Sequence, residues 1–404
     1  MNLKQMRISI LISALAMVFA CPLQIGAQQL TKPVDVVIDK TSDQPFTYSV
    51  AVPDGNYRVT VTVGTKKRAA QTVVRAESRR HYFDAISTKK GQFETVSFVV
   101  NKHNPIIDDK TRVKLKPREL SYKNWDDSLN LIFCGPAPAV QRIRIEPAPQ
   151  VTTVFLCGNS TVVDQENEPW ASWGQMITRW FDDQVVVANY AESGLSATTF
   201  LAQLRLEKIL TQLKQGDYVI CEFGHNDEKE KRPGDGPWYS YSRNLKIFVD
   251  KVRAKGGHII FVTPTARRKF NDDHRTLAYT HGDYPKAMRA VAEREKVSVI
   301  ELNEMTRSFY VALGEEDSKA ALVHYPANTF PNQPKALADN THFNPYGAWE
   351  VAKMIVMGLK GINSPLANHL RADWHDFSPA TPDNPRNFVW HVSGSANLTK
   401  PDGN

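Results

Sequence analysis

Four short stretches hold most of the side chains able to do covalent chemistry: Gly158-Asn159-Ser160-Thr161, Ala191-Glu192-Ser193-Gly194, Gly224-His225-Asn226-Asp227 and Asp339-Asn340-Thr341-His342-Phe343. Each alone reads as an ordinary turn. Together they supply acyl transfer. A serine hydroxyl is a poor nucleophile until a base takes its proton and a third group orients that base. Asp339 and His342, three residues apart, place a carboxylate beside one imidazole nitrogen and leave the other for Ser160. The oxyanion of a tetrahedral intermediate needs donors aimed at developing charge. The Ser160 and Gly194 N–H groups and the Asn226 amide are the candidates, and a glycine at 194 permits close backbone approach.

The first three stretches each follow a short apolar run: Thr153–Cys157, Val185–Asn189 and Tyr218–Glu222. A fourth run, His258–Val262, ends at Thr263-Pro264. Helical periodicity lies between these runs, over Leu201–Leu213 and Asn244–Lys255, and a helix is expected from about Tyr346. Continuous apolar strands alternating with helices predict a parallel sheet covered on both faces. Ligands in such sheets sit beyond the carboxyl ends of the strands, where the unusual residues cluster.

Residues 30–147 have a different rhythm. Tyr57–Val63, Thr95–Val100 and Val140–Ile145 are short, largely alternating runs, the first preceded by the turn Pro53-Asp54-Gly55-Asn56. Short strands separated by turns predict an antiparallel β-sandwich. Pro147-Ala148-Pro149 is expected to act as a stiff hinge before a catalytic domain over 150–362. Residues 363–404 are Pro- and Asn-rich, but Trp374, Phe377, Phe388 and Trp390 suggest an irregular segment packed back on the protein.

The order of these blocks after successive strands resembles the SGNH (GDSL) hydrolase superfamily, and within it the rhamnogalacturonan acetylesterases. Trp173-Gly174-Gln175, Gly216-Asp217-Tyr218 and Ala338–Phe343 share that likeness, which spans roughly 150–360. The resemblance implies an α/β, flavodoxin-like three-layer sandwich. It implies Ser160 as nucleophile, His342 as base and Asp339 as its partner, with Ser160, Gly194 and Asn226 forming the oxyanion hole. No metal or cofactor is implied. The family usually carries Gly-Asp-Ser-Thr, whereas Asn159 stands here; activity is expected to persist, with an altered pH profile. The β-sandwich resembles galactose-binding-like domains, with sugar binding or structural support as its role.

An exported esterase removing acetyl groups from pectic rhamnogalacturonan is the reading these features favour. A xylan or other glycan acetylesterase is the nearest rival, and a glycan-binding protein on a degenerate hydrolase scaffold is a second. Trp238, on the Gly/Pro-rich loop Pro233–Tyr241, offers a face for a sugar ring or packs that loop down. Arg267 is a candidate partner for a galacturonate carboxylate, since arginine binds carboxylates bidentately. His225 is expected to brace Asn226, and His324 to lie in the cleft.

Lys4 and Arg7 precede a 13-residue apolar run, Ile8–Ala20, which reads as a signal peptide over 1–27 cleaved after Ala27. Val18-Phe19-Ala20-Cys21 is a loose lipobox, so a lipid anchor at Cys21 is an alternative. The mature protein is then periplasmic, surface-bound or secreted, and no later run is long enough to span a membrane. Removing the leader lowers the formal net charge from +7 to +5, which suits an acidic glycan or a solvated surface equally. No arginine-rich arm points to nucleic acid. Cys134, Cys157 and Cys221 lie in apolar runs and read as buried hydrophobes, without disulfide or zinc-site spacing. Oligomeric state is not legible.

Overall fold

Alternation of apolar and polar residues sets the first half of the fold. The computed structural model describes residue 30, residues 32–394 and residues 396–402; the predicted leader, its cleavage site and Cys21 lie outside them. Eight strands come first: β1 (Val34–Thr41), β2 (Phe46–Ala51), β3 (Gly55–Gly64), β4 (Ala70–Ala76), β5 (Arg80–Thr88), β6 (Phe93–Lys102), β7 (Ser128–Ala137) and β8 (Ala139–Pro147). They form two antiparallel sheets, ordered β1-β8-β3-β6 and β2-β7-β4-β5. Along β3, Tyr57, Val59, Val61 and Val63 point inward, and meet Val74, Leu129, Leu131 and Phe133 of the facing sheet in one core.

The second half is strand–helix alternation: β9 (Thr152–Cys157), α1 (Trp173–Met176), β10 (Val185–Asn189), α2 (Ala197–Ala202), α3 (Arg205–Gln212), β11 (Tyr218–Glu222), α4 (Ser242–Ala254), β12 (His258–Val262), α5 (Tyr284–Glu295), β13 (Ser298–Ile300) and α6 (Leu302–Leu313). A hairpin, β14 (Leu322–Tyr325) and β15 (Leu337–Phe343), and a long helix, α7 (Pro345–Gly361), follow. The parallel sheet is ordered β10-β9-β11-β12-β13, the flavodoxin-like order with its switch point beside the first strand. Its two faces bury separate cores. Val154, Leu156, Ile220 and Ile260 face α1, α6 and α7, while Phe155, Cys157, Val219, Cys221 and Phe261 face α2 to α5.

Two local expectations give way to tertiary contacts. The helix expected over Leu201–Leu213 is broken at Leu204, which adopts φ 63°. There the Lys114 N–H takes the Gln203 carbonyl, and Arg205 turns inward onto Glu119 at 2.6–2.7 Å. Asp339–His342 lie on the strand β15, immediately before α7. Pro147-Ala148-Pro149 is anchored rather than hinge-like, because Ala148 is buried and its N–H donates to Asn56 O at 2.7 Å.

The sandwich and the α/β layer share a continuous contact. The buried Arg80 guanidinium on β5 meets Asp164, which follows β9, at 2.6 Å. The His103 ring stacks on Tyr190 with centroids 4.2 Å apart. After α7 the backbone is mostly irregular, with Trp374, Phe377, Phe388 and Trp390 packed against the α/β core. Among the described residues no helix is long and apolar enough to cross a membrane.

Candidate active site

Ser160 sits in the turn leaving β9, at the carboxyl edge of the parallel sheet. β15 brings His342 to it: Ser160 Oγ lies 2.9 Å from His342 Nε2. The other ring nitrogen, Nδ1, is 2.8 Å from Asp339 Oδ2. Asp339 Oδ1 accepts the backbone N–H groups of Thr341 and His342 at 2.8 and 2.9 Å, fixing the carboxylate from its far side. Burial pushes the Asp339 carboxyl up, but the His342 ring and these two amides outweigh it and hold the group well below the usual carboxylate range. Asp339 therefore stays an acceptor at any physiological pH, and its partner nitrogen on His342 carries the proton. The Trp170 ring meets His342 edge-on at 5.8 Å, and Ser160, Asp339 and His342 are all buried.

The remaining strand ends converge on the same edge. Gly194, after β10, adopts φ 79°, and a Cβ there would lie 2.7 Å from Asp402 Cβ. Its peptide is held from behind: Lys116 Nζ and Arg118 Nη2 donate to Ser193 O at 2.5 and 3.0 Å. In a trans peptide the N–H is anti to the C=O, so the two cations aim the Gly194 N–H away from themselves and polarise it. Asn226, after β11, is buried, and its Nδ2 donates one hydrogen to Leu195 O at 3.0 Å; an amide nitrogen carries a second.

Beneath Ser160 lies a buried network. Thr161 Oγ1 is 2.9 Å from Asn159 Oδ1 and 2.8 Å from Glu222 Oε1. Glu222 also accepts Trp173 Nε1 at 2.5 Å and Thr265 N–H at 3.2 Å. Burial pushes its carboxyl up to about 7. Asn159 Nδ2 donates to Glu222 O at 3.4 Å, a bond an aspartate would lack. This network ties the Ser160 turn to α1 and to the loop after β12. Asp227, buried and raised to about 7, caps the Gly224 and Ala197 N–H groups at 2.9 and 2.8 Å.

Residues 156–349 match the model of the GDSL-like lipase/acylhydrolase family. A rhamnogalacturonan acetylesterase of Bacillus subtilis, RhgT, is 41% identical over 219 residues, covering 54% of this chain and 93% of the relative. The chain belongs to the SGNH (GDSL) hydrolases, in the rhamnogalacturonan acetylesterase-like family. A probable rhamnogalacturonan acetylesterase of the same organism, YesY, is 31% identical over 222 residues, or 54% of this chain and 96% of that one. A solved structure of Bacillus subtilis YxiM aligns over 82% of this chain and 89% of its own, at 24% identity and a TM-score of 0.47. This SGNH hydrolase is a carboxylic ester hydrolase.

Not every residue singled out from the sequence joins the SGNH constellation. Arg267 lies against Glu228, with its donors also near His281 Nδ1 and His225 O at 3.3 and 3.4 Å. Trp238 is 51% exposed on the turn before α4 and bonds Asp283. Neither lines the two cavities around Gly194 and Trp170. His225 is buried, with no hydrogen-bond partner for either ring nitrogen among the described residues, and lies edge-on to His281 at 4.5 Å; burial first, then His281, holds it well below the usual histidine range. His324 is on β14 and meets Asn340 Oδ1 at 2.9 Å.

Several residues at the site were not anticipated. Gln165 Nε2 donates to Ser160 O at 3.1 Å, and Arg268 braces β15 through Asn340 O and Oδ1 at 3.0 and 3.1 Å. Lys116 and Arg118 come from the connection between β6 and β7, and Lys400 and Asp402 from the last described segment. The one sequence signal was Glu222, an acidic residue closing an apolar strand. Among the described residues no group of three or more His, Cys, Asp or Glu is arranged to hold a metal ion.

Proposed function

We propose that this esterase is an exported serine carbohydrate esterase that removes acetyl groups from pectic rhamnogalacturonan through a Ser160-His342-Asp339 acyl-enzyme mechanism. The observation that carries the reading is the unbroken hydrogen-bond chain from Ser160 Oγ through His342 to Asp339, at 2.9 and 2.8 Å. His342 Nε2 takes the Ser160 proton as Oγ attacks the acetyl carbonyl, and the Ser160 and Gly194 N–H groups and Asn226 Nδ2 receive the oxyanion. The tetrahedral intermediate collapses as His342 returns that proton to the departing sugar oxygen, leaving acetyl-Ser160. A water, deprotonated by His342, then attacks the acetyl group. Acetate leaves, and Ser160 regains its hydrogen. Asp339 holds the imidazole and balances the imidazolium throughout. Support for the substrate comes from the named activities of RhgT and YesY, and support for export from the leader pattern over 1–27.

The test is acetate release from acetylated rhamnogalacturonan and from acetylated xylan. Pectin preference, with a loss of about 10³-fold or more in Ser160→Ala, is expected. Preference for xylan moves the substrate and leaves the mechanism. Failure of the folded protein to turn over any ester overturns the reading in favour of a glycan-binding role.

A further inference from the structure

Segment 396–402 lies across the mouth of the site. Asn397 is held to the turn before Trp170, its N–H donating to Glu168 O at 3.0 Å and its carbonyl accepting Trp170 Nε1 at 3.0 Å. Further along, Lys400 Nζ is 3.4 Å from Asp339 Oδ2. The segment ends with the Asp402 carboxylate between two cations, 2.6 Å from Arg118 Nη1 and 3.1 Å from Lys116 Nζ, directly over Gly194. Arg118 divides its fork: Nε and Nη2 meet the buried Glu192, and Nη1 faces the cavity. The carboxylate side chain is 54% exposed and the cations 21% and 31%. The pair is therefore open to exchange with solutes.

We propose that Lys116 and Arg118 form a carboxylate subsite beside the oxyanion pocket, which Asp402 fills in the closed chain and a uronate carboxylate of the substrate takes when segment 396–402 swings away. This rests on the proposed action on a uronic-acid glycan. Three observations support it. The segment lines the cavity that holds Trp170, whose ring meets His342. Lys116 lines the cavity that holds Gly194 and Asn226, Arg118 lines the one that holds Trp170, and Asp402 lines both. Arginine and lysine together match a carboxylate in charge and in hydrogen-bond geometry. A tethered carboxylate competes at an effective concentration in the millimolar range, so the segment sets a threshold that favours polymers presenting many uronates over isolated esters. The subsite belongs to the connection between β6 and β7, which gives the β-sandwich region a part in substrate selection.

The experiment is inhibition of p-nitrophenyl acetate hydrolysis by digalacturonate and by its carboxyl-reduced counterpart, in wild type, Asp402→Asn, Lys400→Ala and Lys116→Ala. Digalacturonate should inhibit more strongly than the neutral sugar. Asp402→Asn should tighten digalacturonate inhibition roughly 10-fold, in line with removal of a millimolar competitor, and leave neutral-sugar inhibition where it was; Lys400→Ala should act in the same direction. Lys116→Ala should bring the two inhibition constants together. A weakened oxyanion pocket would lower turnover without moving their ratio, so the ratio isolates recognition. Equal inhibition by both sugars in Asp402→Asn overturns the subsite. These readouts use a synthetic ester, so the subsite is decided even where xylan turns out to be the natural substrate.

Discussion

Asn159 and Glu222 lie on opposite sides of one hydroxyl, Thr161 Oγ1, at 2.9 and 2.8 Å. A hydroxyl has a single hydrogen to give. With the Glu222 carboxyl pushed up to about 7 by burial, its protonated form donates to Thr161 and Thr161 donates to Asn159. An amide at 159 completes this chain without a second buried carboxylate, which explains how the site accommodates a departure from the family's usual aspartate.

Asn159→Asp should therefore destabilise this esterase. It deletes the donor to Glu222 O and puts two carboxylates on one hydroxyl, at a cost of about 2 kcal/mol or more. Thermal unfolding should show a larger deficit at pH 8 than at pH 5, where one of the pair is protonated. A deficit independent of pH would contradict the shared-hydroxyl account.

The sign of the Glu222 effect follows from linkage. Its ordinary value of 4.5 rises to about 7 on folding, so between those limits the unfolded chain is ionised and the folded one is not. Wild-type stability then falls as pH climbs through that window and falls no further above it. Glu222→Gln lacks this titration. The melting temperature of the variant relative to wild type should rise between pH 4.5 and 7, and a constant difference would argue against a raised carboxyl.

The contact between the two halves carries a third prediction. Arg80 and Asp164 are both fully buried in their ion pair, and removing one partner of such a pair costs about 3–5 kcal/mol. Arg80→Ala should lower the single melting transition of the whole chain, and residues 150–404 expressed alone should not fold cooperatively. A stable, active 150–404 fragment would show that the sandwich is dispensable.

Contacts of this kind, between elements distant in the chain, leave no local pattern in the sequence. Runs such as Val185–Asn189 and His258–Val262 matched their strands because each is a local apolar stretch bounded by polar turns. Ser160, Asp339, His342, Gly194 and Asn226 were visible because they follow those strands or share one short motif. Lys116, Arg118, Lys400 and Asp402 reach the site from elements far away in the chain, so no local pattern distinguishes them from surface charge. The same holds for Leu204, whose left-handed backbone is imposed by the neighbouring Lys114 and Arg205 contacts. Arg267 reads in the sequence as a candidate partner for a substrate carboxylate, yet in the fold the Glu228 carboxylate pairs with it.

Asp339→Asn keeps the shape of the carboxylate but presents one acceptor and one donor. The Asp339 oxygens serve His342 Nδ1 and two backbone N–H groups, so the amide leaves a donor facing a donor or turns the imidazole to the wrong tautomer. A fall of roughly 10³–10⁴-fold in kcat is expected, with KM for p-nitrophenyl acetate little changed. A loss below 10-fold would remove Asp339 from the proposed triad.

The most direct test of the account is covalent. Treating the folded esterase with a fluorophosphonate and mapping the adduct by peptide mass spectrometry should place a single modification on Ser160, lost in Ser160→Ala and greatly slowed in His342→Ala. An enzyme that remains active without an adduct, or carries it on another residue such as Ser193, would contradict the proposed nucleophile.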